Sequence, residues 1–225
     1  MKDNRYSLRA LALMLGYPDA ALRAKLPQLI EAIDAEAAVP AARRQELKAF
    51  AAELMRLEAM DVEARYVETF DRGRATSLHL FEHVHGDSRD RGPAMVDLAQ
   101  TYEKAGLHMG PNELPDHLCV VLEFASTQPS KLAAEFLGEM EHILTSIFSA
   151  LLKRESPYAA LIAAVLELAG QKVQAVPVVA DESVDDAWAE PAVFDGCSTK
   201  GQGKPGDPQP IHFVRKANAQ QGASV

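Results

Sequence analysis

The chain has 225 residues, of which 48% are hydrophobic and 6% aromatic, and a formal net charge of −9. That is enough apolar material for one sizeable core. The acidic balance excludes a general nucleic-acid binder, which needs a basic face against phosphates. Two cysteines, Cys119 and Cys197, make neither a disulfide framework nor a short metal motif, and they fit a reducing compartment.

Residues 5 to 15 read as a first helix, with Leu8, Leu11, Ala12 and Leu15 on one face and Gly16 and Pro18 as the stop. The polar interruptions of this run, and the lack of a small-residue cleavage site, argue against a signal peptide. Asp19 can cap a second helix carrying Leu22, Leu26, Leu29, Ile30 and Ile33, with a kink or break expected at Pro27. Pro40 opens a third, with Leu47, Phe50, Leu54 and Leu57 on one side. Residues 59 to 70 make a fourth, with Val62, Tyr66, Val67 and Phe70.

Periodicity then fails at Asp71-Arg72-Gly73-Arg74. A short helical segment follows at about 77 to 85, then a polar turn at 86 to 92. Met95, Leu98, Ala99, Tyr102 and Leu107 mark the next helix. Leu114-Pro115-Asp116-His117-Leu118 begins another, and proline and aspartate suit a helix first turn. The apolar stripe from Leu132 through Phe136, Met140, Ile143 and Ile147 to Leu151 predicts one long helix. Ser156-Pro157 reads as the cap and first residue of a core helix with Leu161, Ile162, Val165 and Leu166. Residues 181 to 190 suit a short acidic helix. Beyond 191 the Gly- and Pro-rich composition predicts a disordered tail with one apolar island, Ile211 to Val214. The expectation is an all-α fold of about nine helices over residues 1–190, with a flexible tail at 191–225. No stretch approaches the roughly 20 apolar residues that span a bilayer.

Residues 76 to 92, TSLHLFEHVHGDSRDRG, contain His79-Leu80-Phe81-Glu82-His83, which matches the H-x-x-E-H pattern of inverted zinc peptidases. Two histidines four apart on a helix can share an ion, with Glu82 as the base. A catalytic zinc needs a third ligand, and no local pattern supplies one. The competing reading has Leu80, Phe81 and Val84 packed inward, with the histidines and Glu82 capping, pairing or lining a groove. Cys119, between Leu118 and Val120, reads as a small buried hydrophobe.

Three segments together resemble a family: LMLGYPD, then YVETFDRGRATSLHLFEHVHGDSRDRGPAMVDLAQTYEKAGL, then NELPDHLCVVLEFAS. They are similar to the NarJ-type chaperones of respiratory nitrate reductase, within the redox-enzyme maturation proteins related to TorD and DmsD. The resemblance spans roughly residues 5 to 190. It implies an all-helical cytoplasmic protein without enzymatic activity or a cofactor of its own. It implies a partner, the catalytic subunit of nitrate reductase, bound partly through its N-terminal segment and held ready for molybdenum cofactor insertion. A chaperone for another molybdoenzyme is the alternative within this class, and the zinc hydrolase is the alternative outside it. A monomer and a domain-swapped dimer both remain open.

A bound peptide needs an apolar trough with polar rims. Tyr66, Phe70, Leu80, Phe81, Tyr102 and Leu114 are the candidate trough, while Leu118, Leu122 and Phe124 are expected to be core. Glu82, Asp87, Asp97, Asp116 and Glu123 are candidate partners for basic client residues. Arg89 and Arg91 are candidates for carboxylates, and His79, His83 and His117 titrate near neutrality.

Overall fold

The computed structural model describes residues 3–86, 88–110 and 113–177. The expected acidic helix at 181–190, the tail with its domain boundary, Cys197 and Asp87 lie outside the described residues. Within them the chain is all-α. The helices are α1 (Arg5–Met14), α2 (Ala20–Glu36), α3 (Ala41–Arg56), α4 (Ala59–Phe70), α5 (Leu80–His85), α6 (Arg91–Lys104), α7 (Leu118–Thr127), α8 (Ser130–Gly138), α9 (Glu141–Lys153) and α10 (Ala159–Leu168), with a 3-10 turn at Arg74–Thr76.

Helix α10 is apolar all round, and eight of its ten residues are buried. Such a helix belongs in the centre of a bundle. It packs against α9, α3, α1 and α8, while α1 lies against α7 and α2. Leu8, Leu11, Leu15, Leu26, Leu47, Leu122, Leu144 and Ile162 are buried in this core. Helix α1 lacks a side-chain cap of its own, since Asn4 makes no such bond. Its free N-terminal amides are met instead by the Glu36 carboxylate at the end of α2, from Tyr6 N at 2.9 Å and Ser7 N at 2.7 Å. Asp19 caps α2 through Leu22 N at 2.7 Å, and α2 runs through Pro27 without a break.

The predicted long helix is two helices. Gly138 weakens the run, and Glu139 and Met140 form the joint between α8 and α9. The periodic stripe misled because its members serve different neighbours. Leu132 is exposed, and Phe136 also reaches a second small cluster of Leu98, Tyr102 and Phe124, while Leu137 is buried in the main core. Ser156 does not cap α10 as the Ser-Pro pair suggests. Turn hydrogen bonds from Ala159 N to Ser156 O and Ala160 N to Pro157 O lead into that helix.

Both α9 and α10 end in a left-handed residue that closes the C-terminal carbonyls. In α10, Gly170 takes φ +74°, with Gln171 N donating to Leu166 O and Gly170 N to Glu167 O. In α9 the same geometry falls on Glu155 at φ +53°, with Ser156 N donating to Leu151 O and Glu155 N to Leu152 O. A side chain at that φ costs about 1 kcal/mol relative to glycine. Glu155→Gly is therefore expected to stabilise the protein by about 1 kcal/mol and to raise the thermal midpoint by roughly 2–4 °C. A calorimetric scan that shows a lower midpoint contradicts this account of the turn.

Candidate functional site

The segment from Gly73 to Arg91 is tied to the start of α7. Its six-residue helix α5 is too short to stand alone. Two backbone bonds hold it: Leu118 N to Leu78 O at 2.8 Å, and Leu80 N to Asp116 O at 3.0 Å. They make an isolated antiparallel bridge between His79 and His117.

Asp116 sits at the centre of this junction and is fully buried. Its Oδ2 accepts from Phe81 N at 3.1 Å, its Oδ1 faces His79 Nδ1 at 3.4 Å, and the Arg91 guanidinium lies 3.6 Å from Oδ2. With its own carbonyl on Leu80 N, Asp116 satisfies two of the orphan N-terminal amides of α5. Burial pushes its pKa up. The hydrogen bonds from His79 and from Phe81 N, with the charges of His79 and Arg91, outweigh that and hold it below the ordinary carboxylate value. Asp116 is thus not in the first turn of α7. That helix begins at Leu118 with His117 as its cap, and His117 Nδ1 accepts from Cys119 N at 3.3 Å.

The two histidines are shifted in opposite directions. Their rings meet edge to face at 4.9 Å. The bond to Asp116 raises the pKa of His79 above the ordinary 6.5, despite desolvation. Burial lowers that of His117, and the charge of His79 lowers it further. A neutral His117 is also what the cap needs, since a protonated Nδ1 cannot accept and a cation opposes the helix dipole there.

The signs of the two linkages are opposite. A raised His79 pKa adds stability that is present below 6.5 and lost as pH rises through its folded value. A lowered His117 pKa withdraws stability as pH falls below 6.5. Denaturant midpoints measured from pH 8 to 5.5 are expected to rise in His117→Asn, where the upward shift of His79 remains without the opposing shift of His117. They are expected to fall in His79→Gln. Parallel profiles in the two variants contradict this division.

Glu82 and His83 are also engaged. Glu82 accepts from Ser77 Oγ at 2.6 Å and from Arg91 at 3.3 Å, and His83 Nε2 meets Ser77 O at 2.9 Å. His79 therefore turns to Asp116 while Glu82 and His83 both turn to Ser77, and His79 precedes α5 rather than sharing its face with His83. Among the described residues no group of His, Cys, Asp or Glu is placed to hold a metal ion. The zinc-peptidase alternative is not supported. Ser77 is the residue that the sequence did not single out; its hydroxyl also accepts from His79 N at 3.2 Å.

Of the candidate trough, Tyr66 and Phe70 belong to an aromatic cluster with Phe50 and Tyr158, and the Tyr66 hydroxyl donates to Leu15 O at 2.9 Å. Leu80 is buried in the main core. Tyr102 is buried in the small cluster, with its hydroxyl donating to Pro115 O at 2.8 Å. Leu118, Leu122 and Phe124 are core, as expected. Phe81 is half-buried against the small cluster, Leu114 and Arg89 are exposed, and Glu123 is exposed and paired with Arg9 at 3.0 Å. Cys119 is half-buried, and burial pushes its thiol pKa up to about 12, so it is no nucleophile at neutral pH.

A family model described as nitrate reductase delta subunit matches residues 18–164. The chain belongs to this family. The nitrate reductase molybdenum cofactor assembly chaperone NarJ of Escherichia coli K12 is 45% identical over 176 residues, covering 77% of this chain and 75% of the relative. The probable chaperone NarW of the same organism is 37% identical over 83% of this chain and 82% of its own length. A probable NarJ of Bacillus subtilis is 31% identical over 71% and 86%. A putative redox enzyme maturation protein from Archaeoglobus fulgidus shares the fold, with a TM-score of 0.52 at 21% identity over 74% of this chain and 94% of that one. These three relatives carry the names of chaperones. The buried junction around Asp116 and the whole of α5 to α7 fall inside the matched residues.

Proposed function

We propose that this protein is a dedicated assembly chaperone for respiratory nitrate reductase. It binds the apo catalytic subunit, partly through that subunit's N-terminal segment. It keeps the subunit open to molybdenum cofactor insertion and delays its docking to the membrane subunit. It acts in the cytoplasm, catalyses no reaction and keeps no cofactor. The observation that carries this reading is the match to the delta-subunit family over residues 18–164, with relatives named for the same task. Among the described residues no helix is long and apolar enough to cross a membrane.

The client contact falls, on this reading, on α5, α6 and the loop before α7. Val84, Val96 and Leu114 are 51%, 55% and 45% exposed there. Apolar side chains left this open near charged neighbours suit a protein partner. Phe81, Glu82, His83, Arg89, Arg91, His117 and Glu123 would meet the client at this surface. Buried Tyr66, Phe70, Leu80, Tyr102 and Asp116 would shape it from beneath. Calorimetric titration with the N-terminal peptide of the catalytic subunit tests the reading. Micromolar or tighter binding is expected, weakened at least tenfold in Val84→Glu/Val96→Glu without a change in thermal midpoint. Absence of binding to both the peptide and the apo-subunit would overturn it.

A further inference from the structure

A pocket of about 770 Å³ opens where the start of α1, the loop after α2, helix α8 and the end of α10 meet. It shares no residue with the α5–α6 surface, and its size is that of a small-molecule site. Ala38, Ala134 and Leu168 give it an apolar wall, and Asn4 lines it beside them. Asn4 is only 3% exposed, yet among the described residues its side-chain amide has no hydrogen-bond partner. It does not cap α1, where the Glu36 carboxylate takes the amides of Tyr6 and Ser7. Nor is it sealed in. The Ser7 hydroxyl is unmet and closed off, whereas the Asn4 amide keeps contact with the open space of the pocket. A buried amide without a partner costs its desolvation, so the pocket presents a group that a ligand can satisfy.

The pocket is predominantly negative. Helices α8 and α10 both end at it, with Gly138 and Leu168 in its wall, and a helix C-terminus carries about half a unit of negative charge. The carbonyls of Leu168 and Ala169 accept no backbone bond among the described residues, because Gly170 N and Gln171 N turn back to Glu167 O and Leu166 O. Three carboxylates stand around these ends. Glu167 is half-buried and shared with Arg43 at 3.2 Å, and Glu135 meets Lys131 only loosely, at 3.8 Å on the surface. Glu139 is exposed and has no ionic partner among the described residues. Gln171 brings a second amide, for which Gly138 makes room: a Cβ there would lie 3.2 Å from Gln171 Nε2. Open carbonyls, carboxylates and amide oxygens are all acceptors. A compact cation with three N–H donors matches them, and a methylene chain behind it matches the apolar wall.

We propose that this pocket binds a primary alkylammonium cation, carried by a free polyamine or by a lysine of a bound polypeptide. The ammonium donates to the Asn4 amide oxygen and to the open carbonyls at the end of α10, and it pairs with Glu139. Its methylene chain lies on Ala134 and Leu168. The net charge of −9 favours a partner of this sign. The free-polyamine source stands without the chaperone reading, and the polypeptide source rests on it.

The test is a calorimetric titration of the full chain with spermidine, in wild type, Asn4→Ala and Glu139→Lys, with Glu103→Lys on α6 as the charge control. Asn4→Ala removes an amide that bonds nothing in the fold, and Glu139 is exposed, so thermal midpoints within a few degrees of wild type are expected for both. The expected result is one saturable site. Its affinity should fall about tenfold in Glu139→Lys and about threefold in Asn4→Ala, and stay as wild type in Glu103→Lys. The Asn4 side-chain amide resonance should move as spermidine is added. Lack of a saturable site overturns the proposal, as does wild-type affinity in both Asn4→Ala and Glu139→Lys. So does a binding isotherm that Mg2+ reproduces, since that ion brings charge without N–H donors. A second titration, with the apo catalytic subunit, separates the two sources. Weaker subunit binding under saturating spermidine and in Glu139→Lys assigns the pocket to a lysine of the polypeptide. Unchanged subunit binding in both assigns it to a free polyamine. A subunit that does not bind the wild type at all overturns the chaperone reading and leaves the spermidine result standing.

Discussion

Asp116→Ala is expected to lower the thermal midpoint by about 10 °C. The carboxylate is fully buried and faces three donors, on Phe81, His79 and Arg91. Removing one partner of a buried charged network typically costs about 3–5 kcal/mol, because the groups left behind keep their desolvation penalty. A body of this size loses roughly 2–4 °C for each kcal/mol. The damage should concentrate in α5, which loses a remote cap on Phe81 N and the clamp on Arg91. Asp116→Asn separates charge from shape. One amide oxygen can still accept from Phe81 N, while the amide NH2 can donate to a neutral His79. Asparagine should therefore recover part of the loss, while the pKa of His79, followed by NMR, falls back toward 6.5. An alanine variant that melts within 2 °C of wild type would show that the junction does not depend on this carboxylate.

The same residue shows where the sequence was legible and where it was not. Helices α1 to α4 could be read because their signals are local: Asp19 as a cap, Pro40 before a start, Leu47, Phe50 and Leu54 at helical spacing. The Leu114-Pro115-Asp116 stretch also offered a local signal, and it pointed to the wrong place. The partners of Asp116 lie 25 to 37 residues away, and no spacing rule reaches that far. The trough was illegible for a different reason. A groove wall and a core are both apolar, so Phe81 and Leu80 look alike in the chain although one is half-buried and the other closed off. The pocket beside Asn4 gave no signal at all, since its wall comes from four separate segments. The H-x-x-E-H string failed as a metal site because its first histidine lies before the helix and is held by Asp116.

Tyr102→Ala is expected to act locally where Asp116→Ala acts on the junction. Helix α6 buries only Leu98 and Tyr102, and they sit in the small cluster rather than in the main core. The Tyr102 ring lies 4.6 Å from that of Phe124, and its hydroxyl donates to Pro115 O at 2.8 Å. Truncating a buried aromatic typically costs about 3–5 kcal/mol, and here the loss also leaves the Pro115 carbonyl unmet. The main core of α1, α7 and α10 does not contain this ring. The free energy is therefore lost from the opening of α6 rather than from global unfolding. Hydrogen exchange should show lost amide protection across residues 91–104, with α1 and α10 protected as before. Tyr102→Phe should keep the ring contact and lose only the bond to Pro115, about 1 kcal/mol. Loss of protection spread evenly over all helices would show that α6 is part of the main cooperative unit. A loosened α6 with an intact core would also ask whether client binding needs that helix closed. The same variant, titrated with the catalytic subunit's N-terminal peptide, should bind more weakly, because α6 must then be ordered at the expense of binding energy.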